Sequence, residues 1–219
     1  MRYSKSSNGT RVSNTPFEVY AKSLQEFFKG HEMTASEWEL TKSAMYPVLD
    51  QYQKEGYHAL MKIAHQWGGA LLCDGVGLGK TFIGMMLIER LIIYDRKRVM
   101  LIVPKATRKP VWENTLIRYL PNLGGGFTNL RIFNHTDLLR GGDYANEMKR
   151  MKEQADVVII DEAHHFRNPG IRGLSRYWKM YEITEGKTIF FLTATPINNR
   201  LRDLQHMIEL FSRKEKESS

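Results

Sequence analysis

The sequence is poor in cysteine. Only one of the 219 residues is a cysteine, Cys73, so the chain offers neither an internal disulfide nor a zinc site built from several thiolates. Cys73 lies in an apolar stretch, which predicts a small core residue rather than a redox centre. The seven histidines show no metal-ligand spacing beyond the adjacent pair His164-His165. The sequence therefore does not indicate a zinc or redox protein.

Long apolar runs are also missing. None approaches the roughly 18 residues that a membrane-spanning helix needs. Residues 1–14 are polar and lack the apolar centre of a signal peptide, and we expect them to form a disordered lead-in. We therefore expect a cytoplasmic protein without a membrane partner, associated with the nucleoid if it is microbial.

What the chain does have is an ordinary globular composition with a basic excess. It is 42% hydrophobic and 26% charged, which suits one α/β domain with an extension, or at most two small domains. The formal net charge is +8. This excess points to a polyanionic partner, although it also fits simple solubility.

The stretch 71–84 combines an apolar strand, a glycine-rich loop and the start of an apolar helix. Glycines let successive backbone N–H groups point at phosphate oxygens, and a helix N-terminus adds partial positive charge. The stretch predicts a nucleotide-binding P-loop formed by Asp74, Gly75, Val76, Gly77, Leu78, Gly79, Lys80 and Thr81. The strict P-loop pattern has glycine where this chain has Asp74, so a plain glycine-rich turn remains the alternative.

An acidic pair later in the chain favours the P-loop. The β-branched run 157–160 is typical of a central parallel strand, and it leads directly into Asp161 and Glu162. In phosphoryl transfer Lys80 would reach the β- and γ-phosphates, and the Thr81 hydroxyl would hold Mg²⁺. Asp161 would complete the Mg²⁺ shell, and Glu162 would orient and deprotonate the attacking water. Two acids after a strand can also reflect helix N-terminal preference alone.

Strand and helix patterns alternate along the chain, which predicts a RecA-like parallel β-sheet sandwiched by helices, the fold of P-loop NTPases, with an N-terminal helical extension. Capping boxes at 15–18 and 34–37 predict two accessory helices, the second ending at Pro47. We expect a disordered lead-in over 1–14, accessory helices over 15–47, an ATP-binding lobe over 48–211 and a charged tail over 212–219.

The predicted elements have definite bounds. Strands are expected over 70–73, 99–103, 130–133, 157–160 and 188–192, and helices over 48–67, 80–94, 143–154 and 201–211, with a further helix through Trp112, Leu116 and Tyr119. Ligands of such sheets gather beyond the carboxyl ends of the strands. Lys105, Arg108 and Lys109 follow the second strand, so we expect them to contact the phosphate backbone of DNA, a solvated basic loop being the alternative.

Other polar residues flank the predicted site. Gln53 lies on a predicted helix just upstream of the P-loop. Its amide can pair a donor and an acceptor with the edge of adenine, although a single glutamine on a helix is usually only solvated. Thr193 and Thr195 stand at the tip of the last predicted strand, where they could relay hydrogen bonds between the phosphates and the next domain.

Together these residues resemble the Swi/Snf-type ATPases of helicase superfamily 2, specifically their first RecA-like lobe in a divergent microbial form. Residues 74–81 are similar to the family's Asp-Glu-x-Gly-Leu-Gly-Lys-Thr motif, except that Gly75 replaces the usual acid. The other matching motifs are the adenine-reading motif at 52–56, the DEAH box at 161–168, the third motif at 193–199 and the DNA-tracking segments at 103–112 and 133–138.

The resemblance implies a function for the whole protein. It implies ATP-driven, Mg²⁺-dependent translocation along duplex DNA, with His164, Thr193 and Thr195 as coupling residues and His135 as a DNA contact. It also implies a second RecA-like lobe with arginine fingers in the same longer chain. We therefore expect these 219 residues alone to hydrolyse ATP scarcely at all.

Two alternatives remain at this point. The chain could belong to a strand-separating or restriction-type superfamily 2 motor. It could also be a nucleotide-sensing scaffold that binds ATP without hydrolysing it, although the intact Lys80, Thr81, Asp161 and Glu162 argue against that.

Overall fold

The computed structural model describes residues 34–73, 75, 77, 79–124, 129–172, 174–194 and 201–212. The predicted helix near 15–29 lies outside these ranges, as do the motif residues Asp74, Val76, Leu78 and Thr195. The chain divides after Thr34, and the described residues from Ala35 onward belong to one compact unit.

A single sheet of five strands forms the centre of this unit. The strands are β1 (Gly69–Cys73), β2 (Val99–Val103), β3 (Leu130–Asn134), β4 (Val157–Asp161) and β5 (Thr188–Thr193). They lie in the order β1-β5-β4-β2-β3, and every neighbouring pair is parallel. All five carboxyl ends therefore meet on one side of the sheet, and the predicted parallel α/β fold is confirmed.

Helices connect the strands. They are α1 (Glu37–Thr41), α2 (Gln51–Trp67), α3 (Lys80–Glu89), α4 (Lys105–Thr107), α5 (Asn114–Tyr119), α6 (Pro121–Gly124), α7 (Asp143–Gln154), α8 (Arg176–Ile183) and α9 (Leu201–Ser212). Helix α3 continues as a π-helical turn over Arg90–Tyr94, and a second π-helical turn, Arg108–Glu113, joins α4 to α5. None of these described helices has the length and apolar character needed to cross a bilayer.

Alternation along the strands builds a core on each face of the sheet. In β2, Val99, Leu101 and Val103 pack into one core, while Met100 and Ile102 pack into the other. The first core contains most of α3 and part of α2, and the second contains apolar residues of α7, α8 and α9. Both faces are thus covered, which explains why the central strands read as uninterrupted apolar runs.

Helix α1 begins later and ends earlier than predicted. Its N-cap is Ser36, whose Oγ accepts from the Glu39 N–H at 3.4 Å while the Glu39 carboxylate accepts from the Ser36 N–H at 2.7 Å. The capping box is therefore Ser36–Glu39 and not the predicted 34–37. The helix ends at Thr41, and Pro47 lies in a separate 3₁₀ turn, near whose start its fixed φ is tolerated.

Two further differences concern a helix and a side chain. Helix α8 is missing from the predicted elements; it begins after Ser175, whose Oγ accepts from the Trp178 N–H. Cys73 is exposed, although the sequence predicts a core position for it. The reason is that β1 lies at the edge of the sheet and Cys73 is its last residue.

A buried carboxylate fastens the N-terminal segment to α3. Glu89, only 3% exposed, accepts hydrogen bonds from Ser43 Oγ at 2.5 Å, from the Ala44 N–H at 2.7 Å and from the Met45 N–H at 3.1 Å. Residues 43–45, which supply these donors, lie outside the helices and strands. The segment before α2 is therefore held on the far end of the helix that begins at the P-loop.

A second buried carboxylate supports the same junction. Glu39 accepts from Tyr57 Oη at 2.6 Å and forms an ion pair with Arg90 at 3.1 Å. Burial acts to raise the pKa of Glu39, but the hydrogen bonds from Tyr57 and Ser36 outweigh burial and leave the pKa lowered. Residues 39–45 thus contribute two anchors to the same helix end.

We expect Glu89→Gln to lower the free energy of unfolding by about 1–3 kcal/mol, because the carboxamide turns an N–H₂ group toward donors that need an acceptor. Urea denaturation of the chain measures the loss. Glu55→Gln is the matched control, since Glu55 is exposed and, among the residues that the structure describes, accepts a hydrogen bond from Gln51 alone. Equal losses in the two variants would contradict the anchoring role of Glu89.

Candidate nucleotide site

The candidate site lies where the parallel strands end. The glycine-rich loop follows β1, the acidic pair stands at the end of β4, and Thr193 is the last residue of β5. Because β5 lies between β1 and β4, the loop and the acidic pair are separated by only one strand. This is the side of a parallel sheet on which ligands bind.

The described residues of the P-loop have the backbone that such a loop requires. Gly77 and Gly79 have φ angles of +84° and +77°, a left-handed conformation that favours glycine. Gly79 is also the N-cap of α3. Lys80 Nζ donates to the main-chain oxygen of Gly75 at 2.8 Å, so the ammonium group lies back over the loop.

Gln53 packs directly on the loop. A Cβ atom at Gly79 would lie 2.2 Å from Gln53 Nε2 and 3.7 Å from Tyr52 Oη, so only glycine leaves room for the two α2 side chains. Gln53 Oε1 accepts from the Asp50 N–H at 3.0 Å, which caps α2. The structure therefore brings Gln53 to the P-loop, while its role as an adenine reader stays a prediction.

Asp161 presents a carboxylate whose two oxygens each accept one hydrogen bond. Oδ2 accepts from Trp112 Nε1 at 2.8 Å, and Oδ1 accepts from the Glu162 N–H at 2.9 Å. Within the described ranges no other donor reaches them, so each oxygen keeps a second lone pair for a ligand. Burial raises the pKa of Asp161, while the Trp112 hydrogen bond and the Lys80 charge act in the opposite direction.

Glu162 lies with its carboxylate beside His164. Its φ and ψ angles of 50° and 46° are left-handed, which is uncommon for a residue other than glycine and is often found at functional sites. Its Oε2 lies 3.1 Å from His164 Nδ1, and the same nitrogen lies 3.3 Å from Thr193 Oγ1. The structure thus links the DEAH box to the end of β5, bringing two of the three predicted coupling residues together.

His135 lies inside the lobe and not at its surface. The side chain is 3% exposed, and its ring packs edge-on against Phe166 at 5.1 Å. Nε2 lies 2.8 Å from the main-chain oxygen of Asp161 and must donate, because a carbonyl only accepts. Burial lowers the pKa of His135 to about 4, so the ring is neutral near pH 7. This burial contradicts the predicted contact between the His135 side chain and DNA.

The predicted phosphate contacts share one short segment after β2. Lys105 and Lys109 are exposed, whereas Arg108 is half-buried and forms an ion pair with Glu113 at 2.8 Å. The arginine charge is therefore partly neutralised. Trp112, in the same segment, is fully buried. The sequence assigns Trp112 only to a DNA-tracking motif, and no local pattern indicates its contact with Asp161.

No three His, Cys, Asp or Glu side chains cluster closely enough to hold a metal anywhere in the described ranges. A P-loop Mg²⁺ takes only one or two protein ligands, with phosphate oxygens and waters completing its octahedron. Thr81 and Asp161 supply that kind of ligand. The glycine loop at Gly79, beside Gln53, fits the phosphates of a nucleotide, and the remaining lone pairs of Asp161 fit its Mg²⁺.

Comparison with known proteins identifies the class. A model of the family described as "ResIII: Type III restriction enzyme, res subunit" matches residues 47–198. The chain belongs to this family, and the proteins that it resembles include ones named as chromatin remodelers, as an ATP-dependent helicase and as a SWI2/SNF2 ATPase core.

Two of the curated proteins that the chain resembles illustrate the match. "Protein CHROMATIN REMODELING 24" of Arabidopsis thaliana is 29% identical over 191 residues, 73% of this chain and 16% of the plant protein. "Uncharacterized ATP-dependent helicase YqhH" of Bacillus subtilis is 29% identical over 152 residues, 65% of this chain and 26% of the bacterial protein. The chain thus spans a small part of each relative.

The solved structure shares the fold. The "Sulfolobus solfataricus SWI2/SNF2 ATPase core in complex with dsDNA" superposes with a TM-score of 0.62 at 23% identity, covering 76% of this chain and 36% of that one. The RecA-like assignment of the fold is therefore confirmed.

The neutral His135 predicts a pH dependence of stability. Between about pH 6.5 and pH 4 the unfolded chain binds a proton at His135 that the folded chain does not, so stability should fall as the pH drops through this window. The shift corresponds to at most about 3 kcal/mol.

His135→Gln keeps an N–H donor and removes the titration, so its unfolding free energy should depend less on pH in that window. Urea denaturation near pH 7 and near pH 5 measures the difference. His58 and His165, whose pKa values burial also lowers, titrate in both proteins and cancel in the comparison. Identical pH slopes would contradict the neutral, buried state of His135.

Proposed function

We propose that this chain is the ATP-binding first lobe of a Swi/Snf-like ATPase that couples ATP hydrolysis to translocation along duplex DNA. One observation carries the proposal: a glycine loop with Gly77 and Gly79 in the left-handed conformation leads from β1 into α3 at Lys80, and the buried Asp161 carboxylate ends β4, one strand away across β5. Family membership and the confirmed RecA-like fold support it.

Binding and charge neutralisation fall to the P-loop side. Lys80 exchanges the Gly75 carbonyl for the β- and γ-phosphate oxygens of ATP, and the N–H groups at the start of α3 donate to the same phosphates. Thr81 and Asp161 would hold Mg²⁺, which would supply charge neutralisation for the phosphates during transfer. Gln53 contacts the adenine edge from α2.

Water activation falls to Glu162. Its side chain is 34% exposed, so solvent reaches the carboxylate, whereas the neighbouring Asp161 is buried. His164 bridges Glu162 to Thr193, so a change at the γ-phosphate is passed to the end of β5 and toward Thr195. Two adjacent acids thus serve different steps because their environments differ.

A second RecA-like lobe completes the site in our proposal. Phosphoryl transfer in such motors gains on the order of 10³ to 10⁵ in rate from an arginine finger supplied by a facing domain. The match covers only 16% and 26% of the lengths of the plant and bacterial relatives, which leaves room in those proteins for further domains. A cytoplasmic or nucleoid location remains part of this proposal.

The second candidate is a strand-separating or restriction-type motor, which the description of the matched family favours. Both candidates need the same ATP site. An unwinding assay on the complete protein separates them, because only the second should release a displaced strand.

We expect Lys80→Ala to abolish ATP binding by the complete protein, because the phosphate-clamping charge is lost, and Glu162→Gln to bind ATP but lose hydrolysis. Nucleotide binding and turnover with and without duplex DNA measure the two effects. Glu185→Gln is the control, since Glu185 lies in the exposed turn before β5. Turnover by Glu162→Gln at the parent rate would exclude Glu162 as the general base.

We expect the double change Lys105→Gln, Lys109→Gln to weaken duplex binding about equally across sequences and to lower the slope of log K against log salt by about 0.9 for each phosphate that is no longer neutralised. The matched control is Lys97→Gln, Arg98→Gln. These exposed cations precede β2, at the opposite side of the sheet, and should leave the slope unchanged. Equal salt slopes for the two double variants would mean that Lys105 and Lys109 lie in a solvated basic loop without phosphate contacts.

A further inference from the structure

Two different segments meet at Asp161. The segment after β2 contributes the indole of Trp112, which donates to the Asp161 carboxylate at 2.8 Å. The segment after β3 contributes His135, which donates to the Asp161 main-chain oxygen, also at 2.8 Å. Both donors are buried, at 0% and 3% exposure. The residue proposed to hold Mg²⁺ is therefore fixed at its side chain and at its main chain from two separate loops.

The Trp112 indole packs tightly against α3. A Cβ atom at Gly84, on the P-loop helix α3, would lie 2.5 Å from Trp112 Cη2, so the ring lies directly on that helix backbone. Leu192 of β5 closes the same gap. The indole cannot turn without moving α3 or its own segment, and any shift of that segment moves the N–H relative to Asp161.

The backbone that carries Trp112 also carries the exposed cation. Lys109 and Trp112 both belong to the π-helical turn Arg108–Glu113, one with its side chain exposed and the other with its side chain buried. Such turns are rare and often mark functional sites. A contact between Lys109 and a phosphate of DNA would therefore act on the same turn whose Trp112 donates to the Asp161 carboxylate.

We propose that Trp112 is a positioning residue, which transmits DNA contact from the basic segment after β2 to the metal-holding carboxylate of Asp161, with His135 fixing the main chain of the same residue. The inference rests on the proposed role of Asp161. Trp112 occupies one lone pair of Oδ2 and so sets the direction in which the remaining pairs face the nucleotide. Hydrogen bonds of this kind to a metal-binding carboxylate typically change affinity or activity by 10- to 100-fold when removed.

The test is Trp112→Phe in the complete protein, since Phe keeps a ring and removes the N–H. We expect DNA-stimulated turnover to fall about 10- to 100-fold and the Mg²⁺ concentration at half-maximal rate to rise. The ratio of rates with and without DNA should also fall. Binding of a fluorescent ATP analogue should weaken with Mg²⁺ present and stay unchanged in EDTA, and duplex affinity should stay unchanged.

Trp178→Phe is the matched control. Trp178 Nε1 is buried but finds no hydrogen-bond partner among the described residues, so removing it deletes an N–H that donates to nothing here. This variant should keep its stimulation by DNA and its Mg²⁺ midpoint.

Two results would overturn the proposal. One is a Trp112→Phe protein whose ATP turnover falls by the same factor with and without DNA while the Mg²⁺ concentration at half-maximal rate is unchanged. Trp112 would then contribute packing alone. The other is a Trp112→Phe protein whose ATP turnover is stimulated by DNA as strongly as that of the parent. If Trp112→Phe does not fold, His135→Leu and His135→Gln decide: only the glutamine, which retains a donor, should keep DNA stimulation. A parent protein without any ATP turnover would instead refute the proposed function itself.

Discussion

A charged carboxylate removed from water must be compensated, and Asp161 sets this requirement for the whole lobe. Its partners come from different places: the indole of Trp112 after β2, the N–H of Glu162 after β4, and the positive charge of Lys80 at the start of α3. Because an unpaired buried charge is costly, these elements have to keep their relative positions. The sheet order, which sets β4 beside β2 and β5, makes that arrangement possible.

The regular elements could be predicted because their patterns are local. Strand β2 and helix α7 have the predicted bounds. The short apolar run of β2 is typical of a buried strand, and the charged stretch of α7 with helical apolar spacing is typical of a surface helix. Helix α1 shows the limit. Two capping boxes overlap there, at 34–37 and at Ser36–Glu39, and local chemistry does not choose between them. Burial of Glu39 against Tyr57 and Arg90, both distant in sequence, selects the second.

The site divides in the same way. Lys80, Asp161 and Glu162 could be predicted from motifs, because each lies beside the strand or helix end that positions it. The pairing of Trp112 with Asp161 could not, since it depends on which strands are neighbours. The family resemblance implies a DNA contact for His135, whose segment follows β3 on the ligand side of the sheet, but its ring turns inward to the Asp161 carbonyl. Sequence locates a loop, whereas packing decides which of its side chains face out.

The exposure of Cys73 has a practical consequence. These 219 residues contain no other thiol, and this one ends β1 immediately before the P-loop. A maleimide fluorophore would therefore attach at a single point beside the nucleotide site without any prior mutagenesis. Burial of part of the residue raises the pKa of its thiol, so the reactive thiolate is scarce at neutral pH and coupling proceeds best under mildly alkaline conditions. The chain thus carries its own attachment point for a spectroscopic reporter of the loop.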